Sequence, residues 1–310
     1  MTATTAPADA SSSGSQEQQA RQAMGAPKRS AIYYVVSALG NGLVQAFLII
    51  VALLWLVPTV GLLITSLRTS QDYSESGWWT VFTEPAQITF RNYQNILESD
   101  RIIDSLWNTV LISVPSTVLV VLIGAAAAYA FAWIDFPGRD WLFIVVVGLI
   151  VVPVQVGLLP DAWLFGKMGI YGDITAVVLF HVAFGLPFAI FLLRNFFIGI
   201  PRDLLEAARM DGGRELTIFR KVVLPLGWPA IASLAIFQFL WVWNDLLVAL
   251  SFASSENAPI TYALREQTRS FGANIDIIAP GAFLSMIVPL VVFFAFQRYF
   301  VQGVLAGSVK

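Results

Sequence analysis

Cysteine is absent from this 310-residue chain, histidine occurs once, at His181, and charged residues make up only 12%. Without cysteine there are no disulfides, thiolate metal sites or cysteine nucleophiles. A single histidine excludes metal sites built from several. The shortage of charge says most. A soluble domain of this length carries about a quarter charged residues, whereas here 57% are hydrophobic and the mean hydropathy is +0.73. Bilayer solvent accounts for that composition. A net charge of −2 and a pI of about 5.4 leave no electrostatic footprint for nucleic acid. No G-x-x-x-x-G-K-[ST] phosphate loop occurs, since Gly166-Lys167 is followed by Met168. No Ser/His/Asp set is assembled for hydrolysis. The chain is therefore not expected to be an enzyme or to bind a metal or cofactor.

What is present begins with a polar tail. Residues 1–30 are rich in Ala, Ser, Thr, Gln, Pro and Gly, bury too little apolar surface to offset ordering entropy, and read as disordered. They do not follow the charged–apolar–small order of a secretory signal. Residues 31–310 then form one all-α membrane domain. Six runs reach the ~20 apolar residues that span a bilayer: 43–67, 106–132, 141–159, 174–197, 230–252 and 281–300. Gly40-Asn41-Gly42 separates the first from an apolar approach segment. With the N-terminus inside, the inner loops and ends hold 12 of the 18 Lys and Arg residues. This excess places both termini in the cytoplasm. Every span or its edge holds a proline: Pro58, Pro115, Pro153, Pro187, Pro229 and Pro289. Bent helices around a pathway would use them, although proline is frequent in membrane helices generally.

The inner loop 200–225 is polar but locally ordered. Pro201 suits a first helical turn, and Asp203 and Glu206 sit near the positive end of that helix. Gly212-Gly213 supplies a left-handed stop. A second helical stretch, 214–223, ends at Leu224-Pro225. Leu204 with Ala208, and Ile218 with Val222, give each short helix an apolar stripe. Two such helices build no core of their own, so they need a partner. That partner is either lipid headgroups, met by Arg and Lys, or a soluble protein.

Glu206-Ala207-Ala208, three residues, Gly212, nine residues, then Val222-Val223-Leu224-Pro225 matches the EAA motif of ABC importer membrane subunits. Val222 is its only departure, where isoleucine is commonest. Asn108-Thr109, Tyr129-Ala130-Phe131, Phe136-Pro137-Gly138-Arg139, Trp243-Asn244-Asp245 and the C-terminal pieces 297–303 and 306–310 fit the same pattern. The chain resembles carbohydrate-importer permeases of the maltose-permease G-subunit type over residues 33–310. The resemblance implies a type I ABC importer permease fold and partnership with a second permease, two ATPase subunits and an extracytoplasmic sugar-binding protein. ATP and Mg would bind those ATPases. It also implies that Glu206, Ala207, Ala208, Asp211, Gly212, Leu224 and Pro225 dock the ATPase. Among family cargoes, residues 181–195 and the fifth span look most like α-glucoside permeases, which carry sugars such as maltose or trehalose.

Within the spans, Asp245 is the only deep carboxylate, about 22 Å along the fifth helix from Ala230. An intramembrane acid is a functional candidate by default, and helix packing explains it equally well. Asn244, Gln155, Gln238 and His181 are further pathway candidates, with packing the stronger reading for His181. Outside, the loop 68–105 carries Trp78-Trp79 and Asn92-Tyr93 for binding-protein or headgroup contact, and the resemblance implies that the loop 253–278 reaches towards the docked binding protein. A stand-alone secondary transporter would need paired repeats or several intramembrane charges. One deep acid and no clear repeat weigh against it.

Overall fold

The computed structural model describes residues 31–268 and 274–306. The tail 1–30, Arg269 and the C-terminal residues 307–310 therefore lie outside the described residues. Every described element is helical, and the one β-contact is an isolated parallel bridge between Gly172 and Ala253. The chain falls into two units, Met1–Val60 and Gly61–Lys310. The first supplies most of helix α1 (Ala31–Ser66), which runs unbroken through Gly40-Asn41-Gly42 and contains Pro58. The expected separation from the approach segment is therefore not found: glycine weakens a helix by only about 1 kcal/mol, and the apolar residues on either side continue it.

In the second unit, the outer loop folds as α2 (Ser70–Glu75), two single 3₁₀ turns and α3 (Arg91–Leu97). Then follow α4 (Asp100–Trp133), α5 (Arg139–Ile150), α6 (Val154–Met168) and α7 (Ile174–Ile198). The inner loop gives α8 (Arg202–Met210) and α9 (Glu215–Ile218). Last come α10 (Leu224–Trp243), α11 (Leu247–Phe252), α12 (Ile260–Thr268) and α13 (Ile275–Ala306). Among the described residues, five helical segments are long and apolar enough to cross a bilayer: Gly42–Ser66, Asp100–Trp133, Ile174–Ile198, Glu215–Trp243 and Ile275–Gln297. A sixth crossing requires α5 and α6 to count as one, and they meet at 100°.

That bend corrects the third expected span, 141–159. Val151-Val152-Pro153 breaks it, because Pro153 has no N–H to continue the ladder and disfavours helix in the residue before it. The fifth span is corrected at both ends. It starts at Glu215, since Phe219–Val223 forms a π-type turn in which the Leu224 N–H reaches the Phe219 carbonyl. The second short helix of the inner loop is therefore no separate element; it runs into α10. The extra residue of the π turn carries the helix past Pro225, which lacks a donor. At its far end α10 stops at Trp243, and a break at Asn244–Leu246 precedes α11.

Packing centres on α4 and α7. They approach closely at Gly124, where an added Cβ would lie 2.9 Å from the Ala189 methyl, so small residues set the helix spacing. One core, including Ala128, Tyr129, Leu193, Phe197, Leu205, Ile218, Val223 and Leu234, joins α4, α7, α8, α9 and α10. A second, including Ile112, Phe165, Phe180, Val242 and Phe252, lies toward the other end of α4, α7 and α10. The first core is what holds the inner loop.

Candidate functional site

The inner loop owes its shape to α8 and the turn after it. Gly212 adopts φ +78°, its N–H bonds the Arg209 carbonyl at 3.0 Å, and the Gly213 N–H bonds the Ala208 carbonyl at 3.0 Å. This is the paired closure of a Schellman stop. The two glycines are needed for different reasons. A Cβ on Gly212 meets nothing within 4 Å, so the demand there is conformational. One on Gly213 would lie 2.6 Å from the Ala208 carbonyl oxygen. Gly212→Ala is expected to cost about 1–2 kcal/mol for its left-handed backbone. Gly213→Ala should cost more, because a backbone oxygen must move. Thermal melting of the two purified variants measures the order.

The inward face of α8 is not the expected one. Leu205 is fully buried while Leu204 is 46% exposed, so the apolar stripe runs through Leu205 and the half-buried Ala208. Ile218 is buried and Val222 partly so, as expected. Leu204, Ala207 and Met210, spaced by three, form an exposed apolar row beside Glu206. Among the described residues Glu206 pairs with Arg202 alone, at 3.0 Å and one turn away, with both side chains largely exposed. Such a pair contributes about 0–1 kcal/mol and leaves the carboxylate free to find another partner. Asp211 and Gly212 are exposed at the turn. Leu224 and Pro225 lie at the start of α10, Leu224 partly buried in the first core and Pro225 exposed.

A contact that the sequence reading missed ties this loop down. The Glu215 carboxylate accepts from Arg209 Nε at 2.9 Å and from the Tyr129 hydroxyl, while Arg209 also donates to the Trp133 carbonyl at 3.3 Å. The hydrogen bond that Arg209 donates to the Glu215 carboxylate holds its guanidinium above the ordinary range. Tyr129 was singled out only as part of Tyr129-Ala130-Phe131. Its partner is 86 residues away, a distance across which periodicity carries no signal.

The pathway candidates divide. His181 and Asp245 come together, with 3.7 Å between Nε2 and Oδ2; this is an ion pair only when the imidazole is protonated. His181 is fully buried, and Trp241 meets its ring edge-to-face with centroids 5.1 Å apart. Asp245 is not inside the fifth helix. It sits in the break, where its two oxygens accept from the Val248 and Ala249 N–H groups at 3.3 and 3.0 Å. From the break it satisfies two of the free N–H groups at the start of α11. Asn244 turns back to the Leu240 carbonyl at 2.8 Å. Gln238 is buried against Gly185 and borders a cavity of about 280 Å³ walled by Phe184, Phe188, Phe237 and Trp241. Gln155 lies exposed on the first turn of α6.

On the opposite side, Asn92 is buried and donates to the Ser66 and Arg68 carbonyls at 3.1 and 2.7 Å. It holds the outer loop together and is not a contact residue. Trp79 is 62% exposed. Asn108 and Thr109 lie inside α4, two turns past its start. There Asn108 donates to the Glu256 and Ala258 carbonyls, and Thr109 accepts from the Ile260 N–H, fixing the second outer loop.

Residues 99–306 match the family described as binding-protein-dependent transport system inner membrane component. The chain belongs to that family. It is therefore an inner-membrane permease subunit of a binding-protein-dependent ABC importer, and the family match covers the whole inner loop. This permease is 49% identical over 265 residues to the osmoprotective compounds uptake permease protein GgtD of Synechocystis sp., covering 84% of this chain and 89% of that protein. It is 48% identical over 235 residues to the alpha-glucoside transport system permease protein AglG of Rhizobium meliloti, covering 74% of this chain and 62% of the relative. A solved bacterial ABC transporter for the acidic polysaccharide alginate has a chain that superposes with a TM-score of 0.71 at 23% identity. The match covers 89% of the permease and all of that chain. At that identity the likeness speaks for the fold of the permease alone.

Proposed function

We propose that this chain is one of two permeases forming a sugar pathway, driven by separate ATPase subunits that dock on Glu206 and the row Leu204, Ala207 and Met210. The observation that carries this reading is that row: a folded, capped helix presenting exposed apolar side chains beside a weakly engaged carboxylate. Lipid headgroups would be met by a row of Lys and Arg on that face, whereas Asp203 lies within it and Glu206 beside it. ATP and Mg are held on the ATPases, and this chain itself catalyses no reaction. Both termini and the loop lie on the cytoplasmic side, in keeping with the Lys and Arg excess there. The tail 1–30 precedes a permease domain, 31–310.

The cargo is an α-glucoside such as maltose or trehalose, delivered by an extracytoplasmic binding protein. The named substrates of relatives support this: alpha-glucosides for AglG, and trehalose for the 36% identical permease SugB of Mycobacterium tuberculosis. His181, Gln238, Asn244 and Asp245 lie along the α7–α10 seam and its outer end, and Gln155 on α6; they are the pathway candidates. Membership of a binding-protein-dependent family leaves the stand-alone secondary transporter without support. Purification from the native membrane tests the reading: an ATPase and a second permease should elute with this chain. Uptake of maltose or trehalose into vesicles containing this chain alone would overturn it.

A further inference from the structure

Glu215 falls in the nine-residue gap of the motif and is none of its specified positions, yet it joins three elements. Its carboxylate receives Arg209 from the last turn of α8 at 2.9 Å and the hydroxyl of Tyr129 from the last turns of α4. It stands itself on α9, the first turn of the continuous helix Glu215–Trp243. Arg209 adds a bond to the Trp133 carbonyl at the end of α4. The Tyr129 ring is 4% exposed and packs against Phe219, centroids 5.1 Å apart, so its hydroxyl has one direction to point. Arg209 and Glu215 remain about one-third to one-half exposed. A carboxylate that accepts from both a phenol and a guanidinium makes charge-assisted bonds, the stronger and more directional kind.

We propose that Glu215 is a positioning residue for coupling. With Tyr129 and Arg209 it clamps the docking helix α8 to α4 and α10, so the three move as one rigid body when the ATPase moves. The inference rests on the docking reading above. Leu205 and Ile218 hold α8 through apolar contacts, which allow sliding; the clamp fixes direction, because its bonds are lost when α8 rotates about its axis. Without it, displacement of α8 would be absorbed at the Asp211–Arg214 turn before reaching α10.

The experiment uses the complex of this chain with its second permease, ATPase and binding protein in proteoliposomes. Uptake of radiolabelled maltose and trehalose is measured together with ATP hydrolysis. Glu215→Gln keeps the shape and removes the charge. It should lower sugar moved per ATP hydrolysed about tenfold, and Tyr129→Phe should do so about threefold. The exchange Arg209→Glu with Glu215→Arg should recover most of the ratio, which a merely structural loss would not allow. A second measurement does not depend on the sugar. Because the chain has no cysteine, spin labels can be placed at Arg202, exposed on α8 and outside the apolar docking row, and at the exposed Asp135. The wild-type distance distribution should stay single and unchanged with and without ATP, and should broaden in Glu215→Gln. A wild type that takes up neither sugar bears on the cargo alone, since the labels still decide the clamp. An unchanged uptake-to-hydrolysis ratio in Glu215→Gln would overturn the inference, as would a wild-type label distance that shifts with ATP.

Discussion

Glu206→Lys is expected to abolish uptake in cells while the chain still inserts and accumulates at its normal level. The side chain is largely exposed and its one partner, Arg202, is also exposed, so reversing the charge removes little from the fold. Against a docked surface the sum is different. Breaking one partner of a buried charge pair at an interface costs about 2–5 kcal/mol, equivalent to roughly 30-fold to several-thousand-fold weaker docking. Lysine also stands one turn from the like charge of Arg202, with Asp203, three residues away, as the nearest carboxylate along the helix. Quantitative blotting of membranes and co-purification of the ATPase separate the two effects. Normal uptake at normal protein level would sink the assignment of this face to docking.

Much of the inner loop's shape is legible in the sequence, and the reasons are local. Glycine pairs that close an amphipathic stretch report a left-handed stop, and Gly212 adopts it. The composition places the spans because every backbone group in a bilayer must be satisfied within a helix. The parts that were not legible depend on what lies across the bundle. A helix apolar on all sides has no phase to read, so the stop at Trp243 and the restart at Leu247 leave no mark in hydropathy. Asp245 looked like an acid within a span because its two N–H partners, at Val248 and Ala249, exist only once the helix has broken. The π turn at Phe219–Val223 is equally silent, and its effect is to merge a loop helix with a span. The clamp joins Glu215 to Tyr129 across two helices.

Leu204 and Leu205 show the limit most sharply, and they give the second large effect. The two are chemically identical neighbours, and the i, i+4 spacing from Leu204 to Ala208 is as good as any that Leu205 makes. Tertiary packing chose Leu205, which is 0% exposed against Phe197, Ile218 and Val223 in the shared core. Leu205→Ala should therefore leave a cavity under α8 and destabilise its docking to the bundle by about 2–5 kcal/mol. Leu204→Ala should change stability by less than about 0.5 kcal/mol, and its loss should appear in ATPase affinity. Hydrogen exchange of residues 202–210 in the purified permease reads the first effect, and co-purification of the ATPase reads the second. Uptake should fall in both variants for opposite reasons: in one the helix no longer holds its place, and in the other it holds its place but offers less surface. If Leu204→Ala loosened α8 as much as Leu205→Ala, the register of this helix, and with it the outward direction of Glu206, would be wrong.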